Sequence, residues 1–182
     1  PGDEVLIVSP AWTNYAAATL LAGGVPVEVP TRDEDGFLPD PDALRRRVTG
    51  RTRVLILNSP NNPTGVMYPE SALRAIAEVA DAAGLLVVSD EIYDRIVYGE
   101  TSHVSFARLP GMEDRTLTIN GHSKTFSMTG WRIGYLAGAP GRIQPLVRIH
   151  QNMVASACSF VQWGAAGALQ GPSECVAEMV AE

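Results

Sequence analysis

Residues 54–90 read VLILNSPNNPTGVMYPESALRAIAEVADAAGLLVVSD, and this stretch decides the fold. Val54-Leu55-Ile56-Leu57 and Leu85-Leu86-Val87-Val88 are continuous apolar runs rather than alternating ones, which suits strands covered on both faces. Between them, Glu70 to Ala83 reads as a helix. Pro69 stands at its start, Leu73, Ile76, Ala77 and Ala80 form an apolar stripe, and Gly84 follows as the stop. Strand, helix and strand in that order predict a crossover unit and a parallel pair.

The same alternation continues on either side. Val5–Ser9, Pro26–Val29, Thr116–Asn120 and Ile133–Ala137 join Val54–Asn58 and Leu85–Ser89 as strands of an α/β fold with a mostly parallel sheet and helices on both faces. One longer helix is expected from Arg142 into the Gly164–Gly167 region, with Pro145 tolerated in its first turn. Asp33–Gly36 reads as a turn and Glu100 to Asp114 as an irregular connection.

Composition bounds the function. The 182 residues fit one domain, and 46% hydrophobic with 19% charged residues is ordinary for a globular chain. A formal net charge of -6 argues against broad attraction to nucleic acid or acidic membranes, yet leaves room for a local anion site. The most apolar long stretch, Met153 to Leu169, is broken by Ser156, Ser159, Gln162 and Gly164, so no transmembrane helix is expected. Cys158 and Cys175 read as reduced thiols of a cytoplasmic protein. His103, His122 and His150 make no metal-ligand cluster. The chain opens on Pro1-Gly2-Asp3-Glu4, directly before a strand, and closes inside a helical pattern, so it reads as a piece of something longer.

Polar residues gather just after the apolar runs: Ser9-Pro10-Ala11-Trp12, Asn58 to Pro63, Ser89-Asp90-Glu91 and Asn120 to Lys124. Ligand sites of open α/β sheets form at the carboxyl ends of strands, so four such segments can converge on one crevice. Singly, each is weak. A lysine after a strand is usually a solvated surface group, an aspartate there is more often a cap, and Asn62-Pro63-Thr64-Gly65 can be a plain turn.

Jointly they carry a resemblance. Ser59-Pro60-Asn61-Asn62-Pro63-Thr64-Gly65, then Ser89-Asp90-Glu91-Ile92-Tyr93, then Ser123 to Tyr135 (SKTFSMTGWRIGY) are similar, in order and interval, to the cofactor-binding segments of class I aminotransferases. These are pyridoxal-phosphate (PLP) enzymes of fold type I. The resemblance runs from Pro1 to at least Leu169. It implies that residues 1–182 are the central part of the PLP-binding large domain, truncated at both ends, with the N-terminal segment and the C-terminal small domain absent. The Asn120–Lys124 and Gly130–Arg132 stretches, with Trp12, look most like the bacterial aspartate/aromatic/kynurenine branch.

The resemblance also implies roles. Lys124 would be the Schiff-base lysine and the proton carrier, work that needs its neutral amine. Asp90 would pair with the pyridine nitrogen and keep it protonated. Tyr93 and Asn62 would donate to the cofactor's phenolic oxygen, and Trp12 would stack on the ring. Arg132 would grip the phosphate bidentately, with Ser123 adding a hydroxyl. Tyr15 would stand behind Asp90. Ser9-Pro10 and Asn62-Pro63 are candidates for cis peptide bonds. Gly121 departs from branches that place a phosphate-binding serine three residues before the lysine. A further phosphate loop and the substrate-carboxylate arginine would lie outside the chain. The expected activity is amino-group transfer between an amino acid and a 2-oxo acid, in a homodimer, with no nucleic-acid or membrane partner and no metal. A PLP-dependent carbon–sulfur lyase, a related synthase, a regulator's sensing domain and an inactive fragment are the alternatives.

Overall fold

A computed structural model describes residues 1–182. Six strands form one sheet: β1 (Glu4–Ser9), β2 (Val25–Pro30), β3 (Thr52–Asn58), β4 (Leu86–Asp90), β5 (Thr116–Gly121) and β6 (Gly134–Ala137). Their order is β2-β1-β3-β4-β5-β6. All neighbours are parallel except β5 and β6, which run antiparallel. Each expected strand is present, with no end displaced by more than two residues. The chain steps from β1 outward to β2, then back across β1 to β3, which makes the β1/β3 boundary the switch point of the sheet.

The helices are α1 (Asn14–Leu21), α2 (Pro41–Arg47), α3 (Glu70–Ala82), α4 (Pro140–Val154), α5 (Ser159–Gln170) and α6 (Glu174–Ala181). In α3 the stripe read from the sequence, Leu73, Ile76, Ala77 and Ala80, is buried, and Val79 is buried with it. Gly84 then takes φ +63, and Leu85 N–H returns to the Ala80 carbonyl at 2.9 Å, which ends the helix and launches β4. The core packs Leu6, Val8, Val29, Leu55, Leu57 and Val87 of the sheet against Leu44 of α2 and the α3 stripe. The alternate residues Val54, Ile56, Leu86 and Val88 are only half-buried. The two faces of the central strands are therefore unequally covered.

The single long helix expected after Arg142 is two helices. It begins at Pro140, so Pro145 lies inside α4 rather than in its first turn. Residues 155–158 leave the helix, with Ala155 at φ 61 and ψ -76. No residue of α4 is buried, so no packed stripe enforces continuity across the break. Asp33–Asp35 is a 3-10 turn closed by Gly36, as expected, and Glu100 to Asp114 carries only short 3-10 turns. Cis bonds occur at Ser9-Pro10 and Asn62-Pro63, and also at Ser59-Pro60. No helix is long and apolar enough to cross a membrane.

Candidate active site

The four polar segments do converge. A cavity of about 460 Å³ opens at the carboxyl ends of β3, β4 and β5 beside α1, and Trp12, Tyr15, Asn62, Asp90, Tyr93, Ser123, Lys124 and Arg132 all line it.

Asp90 ends β4 in register with Asn58 of β3. Asp90 is 7% exposed, and its carboxylate has two donors: Tyr15 Oη at 2.7 Å to Oδ2, and the Ile92 N–H at 3.1 Å to Oδ1. Burial pushes this carboxyl above the ordinary aspartate value. The two donors oppose that rise, and the neighbouring Glu91 charge adds to it. The Tyr15 phenol is pushed far up, first by burial and then by Asp90, so it keeps its proton and remains a donor. Tyr15 stands on α1 with its ring edge-on to Trp12, the centroids 5.6 Å apart at 87°.

Asn58 was not singled out in the sequence and ties the two loops together. Its Nδ2 donates to the Asp90 carbonyl at 3.0 Å, and its Oδ1 accepts from the Asn62 N–H at 2.7 Å. The position of Asn62 is thereby referenced to the end of β4. The buried apolar-to-polar transition at Leu57-Asn58 is the signal that could have found it.

The β5–β6 hairpin presents the third group. Its two strands approach so closely at Gly121 and Gly134 that a Cβ on Gly121 would lie 3.0 Å from the Gly134 Cα, and one on Gly134 would lie 2.9 Å from the Asn120 carbonyl oxygen. A side chain at Gly121, three residues before Lys124, would therefore press on the backbone of the neighbouring strand. The connection between the strands carries Ser123, Lys124 and Arg132. Lys124 Nζ stands 5.7 Å from the Tyr93 ring centroid. Lys124 is also the one lysine of the chain, every other basic side chain among the 14 Lys+Arg being arginine. Arg132 sits at φ 54, and its Nη1 donates to the Thr129 carbonyl at 2.9 Å. Its remaining guanidinium N–H groups are available to a ligand.

Glu91, next to Asp90, is 3% exposed and turns away into a separate cluster of four donors. Neither Glu91 nor His103 stands out as a functional residue from local sequence alone.

The family model "Aminotransferase class I and II" matches residues 1–182. The chain is 47% identical over 169 residues to the "Probable aspartate/prephenate aminotransferase" of Thermus aquaticus, covering 93% of this chain and 43% of that protein. It is 49% identical over 184 residues to the "Bifunctional aspartate aminotransferase and glutamate/aspartate-prephenate aminotransferase" of Petunia hybrida, covering 99% and 38%. Among solved structures, the aromatic aminotransferase from Pyrococcus horikoshii OT3 superposes with a TM-score of 0.97 at 45% identity, over 100% of this chain and 49% of that one. The chain thus spans less than half the length of these relatives.

Proposed function

The chain belongs to the class I and II aminotransferases, and from that premise we propose that it is the cofactor-binding core of a pyridoxal-phosphate-dependent aminotransferase moving an amino group between an amino acid and a 2-oxo acid. One observation carries the reading: a buried carboxylate with two donors shares a cavity with the chain's sole lysine and with an arginine. The donor set fits the cofactor group by group. A carboxylate suits a pyridinium nitrogen, a phenol and a carboxamide suit a phenolate oxygen, and a guanidinium with a hydroxyl suits a phosphate. An indole suits the ring face, and an amine suits an aldehyde.

When bound, the cofactor supplies an electron sink for the charge left at the substrate's α-carbon. The protein does the rest. Asp90, whose carboxyl burial raises while Tyr15 and the Ile92 N–H donate to its oxygens and oppose that rise, would keep a proton on the ring nitrogen when ionised. Tyr93 and Asn62 donate to the phenolic oxygen. Arg132 and Ser123 hold the phosphate, and Trp12 covers the ring. Lys124 would be the attachment point for the aldehyde, and its Nζ, when neutral, would accept the proton from the α-carbon.

In this reading residues 1–182 are the central part of the large domain of a longer, cytoplasmic protein. Phe160 and Trp163 are 68% and 80% exposed on α5, which supports further chain or a homodimer partner covering that side. The relatives' names favour amino-group transfer over lysis, and they leave the choice between aspartate-like and aromatic substrates to experiment.

The test is spectroscopic and chemical. Pyridoxal phosphate added to the purified protein should give a visible band that borohydride fixes onto Lys124, and Lys124→Ala should lose it. Supplied with an amino acid and a 2-oxo acid, the protein should form a new amino acid. Identical spectra for wild type and Lys124→Ala, or release of ammonia with pyruvate instead of transfer, would overturn the assignment.

A further inference from the structure

Glu91 is the hub of a buried polar cluster that the proposed chemistry does not use. Its Oε1 accepts from Ser89 Oγ at 2.8 Å, Ser105 Oγ at 3.1 Å and the Phe106 N–H at 3.0 Å, while its Oε2 pairs with His103 Nε2 at 3.0 Å. The Glu91 and His103 side chains are 4% and 11% exposed. A carboxylate cannot donate, so His103 carries its proton on Nε2 in this pairing.

The cluster closes a loop. Glu91 N–H is bonded to the Ile119 carbonyl of β5 at 2.9 Å, which fixes the outgoing end to the sheet. The returning end is held by Phe106, whose side chain is 1% exposed in the core and whose N–H reaches back 15 residues to the Glu91 carboxylate. The Glu91 carboxyl joins the two ends, and Val104 packs on the core beside the returning one. Tyr93 stands on the outgoing limb, where Asp94 N–H bonds the Glu91 carbonyl at 3.0 Å and Ile96 N–H bonds the Tyr93 carbonyl at 2.9 Å. Tyr93 also lines a second cavity of about 500 Å³, to which Ile96, Tyr98 and Thr101 of the same loop contribute. The loop has few other anchors: Arg95, Tyr98, Gly99 and Glu100 are exposed.

We propose that Glu91 and His103 are positioning residues: they clasp the two ends of the 91–106 loop together and so hold the Tyr93 hydroxyl at the cofactor's phenolic oxygen. The proposal rests on the reading of Tyr93 given above. The physical reason is entropic. Closing a loop of this length is unfavourable, and a buried carboxylate with four donors offsets that cost where an apolar core is thin. Charge-assisted bonds to Glu91 also hold its carboxyl below the ordinary glutamate range: burial alone would raise it, and His103, Ser89 and the Phe106 N–H outweigh burial.

The test uses the cofactor-loaded protein and reads the pH midpoint of its visible absorption, which responds to the donor at the phenolic oxygen. Four proteins are compared: wild type, His103→Leu, Tyr93→Phe and the double variant, with His103→Gln replacing His103→Leu if the latter fails to fold. The His103 variant should move the midpoint part of the way to that of Tyr93→Phe and add nothing in the Tyr93→Phe background. Amides of residues 92–105 should exchange faster in it, with the sheet amides unchanged. A wild-type midpoint in the His103 variant beside a moved one in Tyr93→Phe would overturn the clasp. So would a His103 effect of equal size with and without the Tyr93 hydroxyl. A wild-type protein lacking any Lys124-dependent band would instead remove the cofactor reading, and the clasp with it.

Discussion

Replacing Tyr15 by phenylalanine removes one oxygen and leaves the ring in its edge-on contact with Trp12. What is lost is the 2.7 Å donor to Asp90 Oδ2, one of two that the carboxylate has. A hydrogen bond to a buried charged group is worth about 1.5–3 kcal/mol, against about 0.5–1.5 kcal/mol for a neutral one. The Tyr15→Phe cost in the cofactor-free protein should therefore depend on whether Asp90 is ionised. Burial raises the folded-state carboxyl above its unfolded value, so Asp90 favours folding at pH below the unfolded value, and that contribution is lost as pH rises through the folded one. Tyr15 limits the loss by favouring the carboxylate. Without it the loss continues to higher pH, and the gap between variant and wild type is widest near neutrality. For a chain of this size that gap corresponds to a melting temperature lower by roughly 3–12 °C, at 2–4 °C per kcal/mol. It should shrink by about half on the acid side of the carboxylate range, where only a neutral bond is at stake. Thermal melts of both proteins across pH give the answer. A gap that is absent, or that stays constant through the titration of Asp90, would refute the claim that Tyr15 serves the ionised carboxylate.

Arg132→Lys keeps the charge and loses the planar fork, so pyridoxal phosphate should bind about tenfold more weakly or worse. Pyridoxal, which lacks the phosphate, should bind as before. Absorbance titration with both ligands checks this, and equal losses would place Arg132 elsewhere. Gly134→Ala puts a Cβ 2.9 Å from the Asn120 carbonyl oxygen, which should cost about 1–3 kcal/mol in urea unfolding by forcing the β5–β6 hairpin apart; an unshifted midpoint would contradict that close approach. Ile76→Ala empties a fully buried position of the α3 stripe and should cost about 2–5 kcal/mol by the same measurement. A cost below 1 kcal/mol would mean that the α3–sheet core repacks freely.

What the sequence made legible depended on how each element earns its stability. The central strands and α3 bury a periodic set of side chains, so their periodicity was readable and their ends were placed within one or two residues. Helix α1 has no legible sequence signal, because its eight residues, NYAAATLL, bury only Thr19 and carry no side-chain cap. Helix α2 does carry a local signal: Asp40 caps the Asp42 N–H at 2.9 Å, Pro41 follows, and Arg45–Arg47 close the last turn. The break between α4 and α5 had no glycine or proline to mark it.

The candidate site divides the same way. Lys124, Asp90 and Arg132 stand in contiguous motifs at strand ends, so local sequence was enough to gather them, and the parallel topology then brings them to one rim. Asn58 lies just before one of the motifs and Glu91 inside another, yet each also has partners in separate segments, the Asp90 carbonyl 32 residues from Asn58 and the Phe106 N–H 15 residues from Glu91. Nothing in the local spacing says that Asn58 spans β3 to β4, or that Glu91 gathers Ser89, His103, Ser105 and the Phe106 N–H. The groups that would touch the cofactor are thus the local part of the design, and the groups that hold them in place are the non-local part. Substitutions at Glu91 or His103 should therefore act through Tyr93 without either residue reaching the cavity, which is why the Tyr93→Phe background is the decisive one for them.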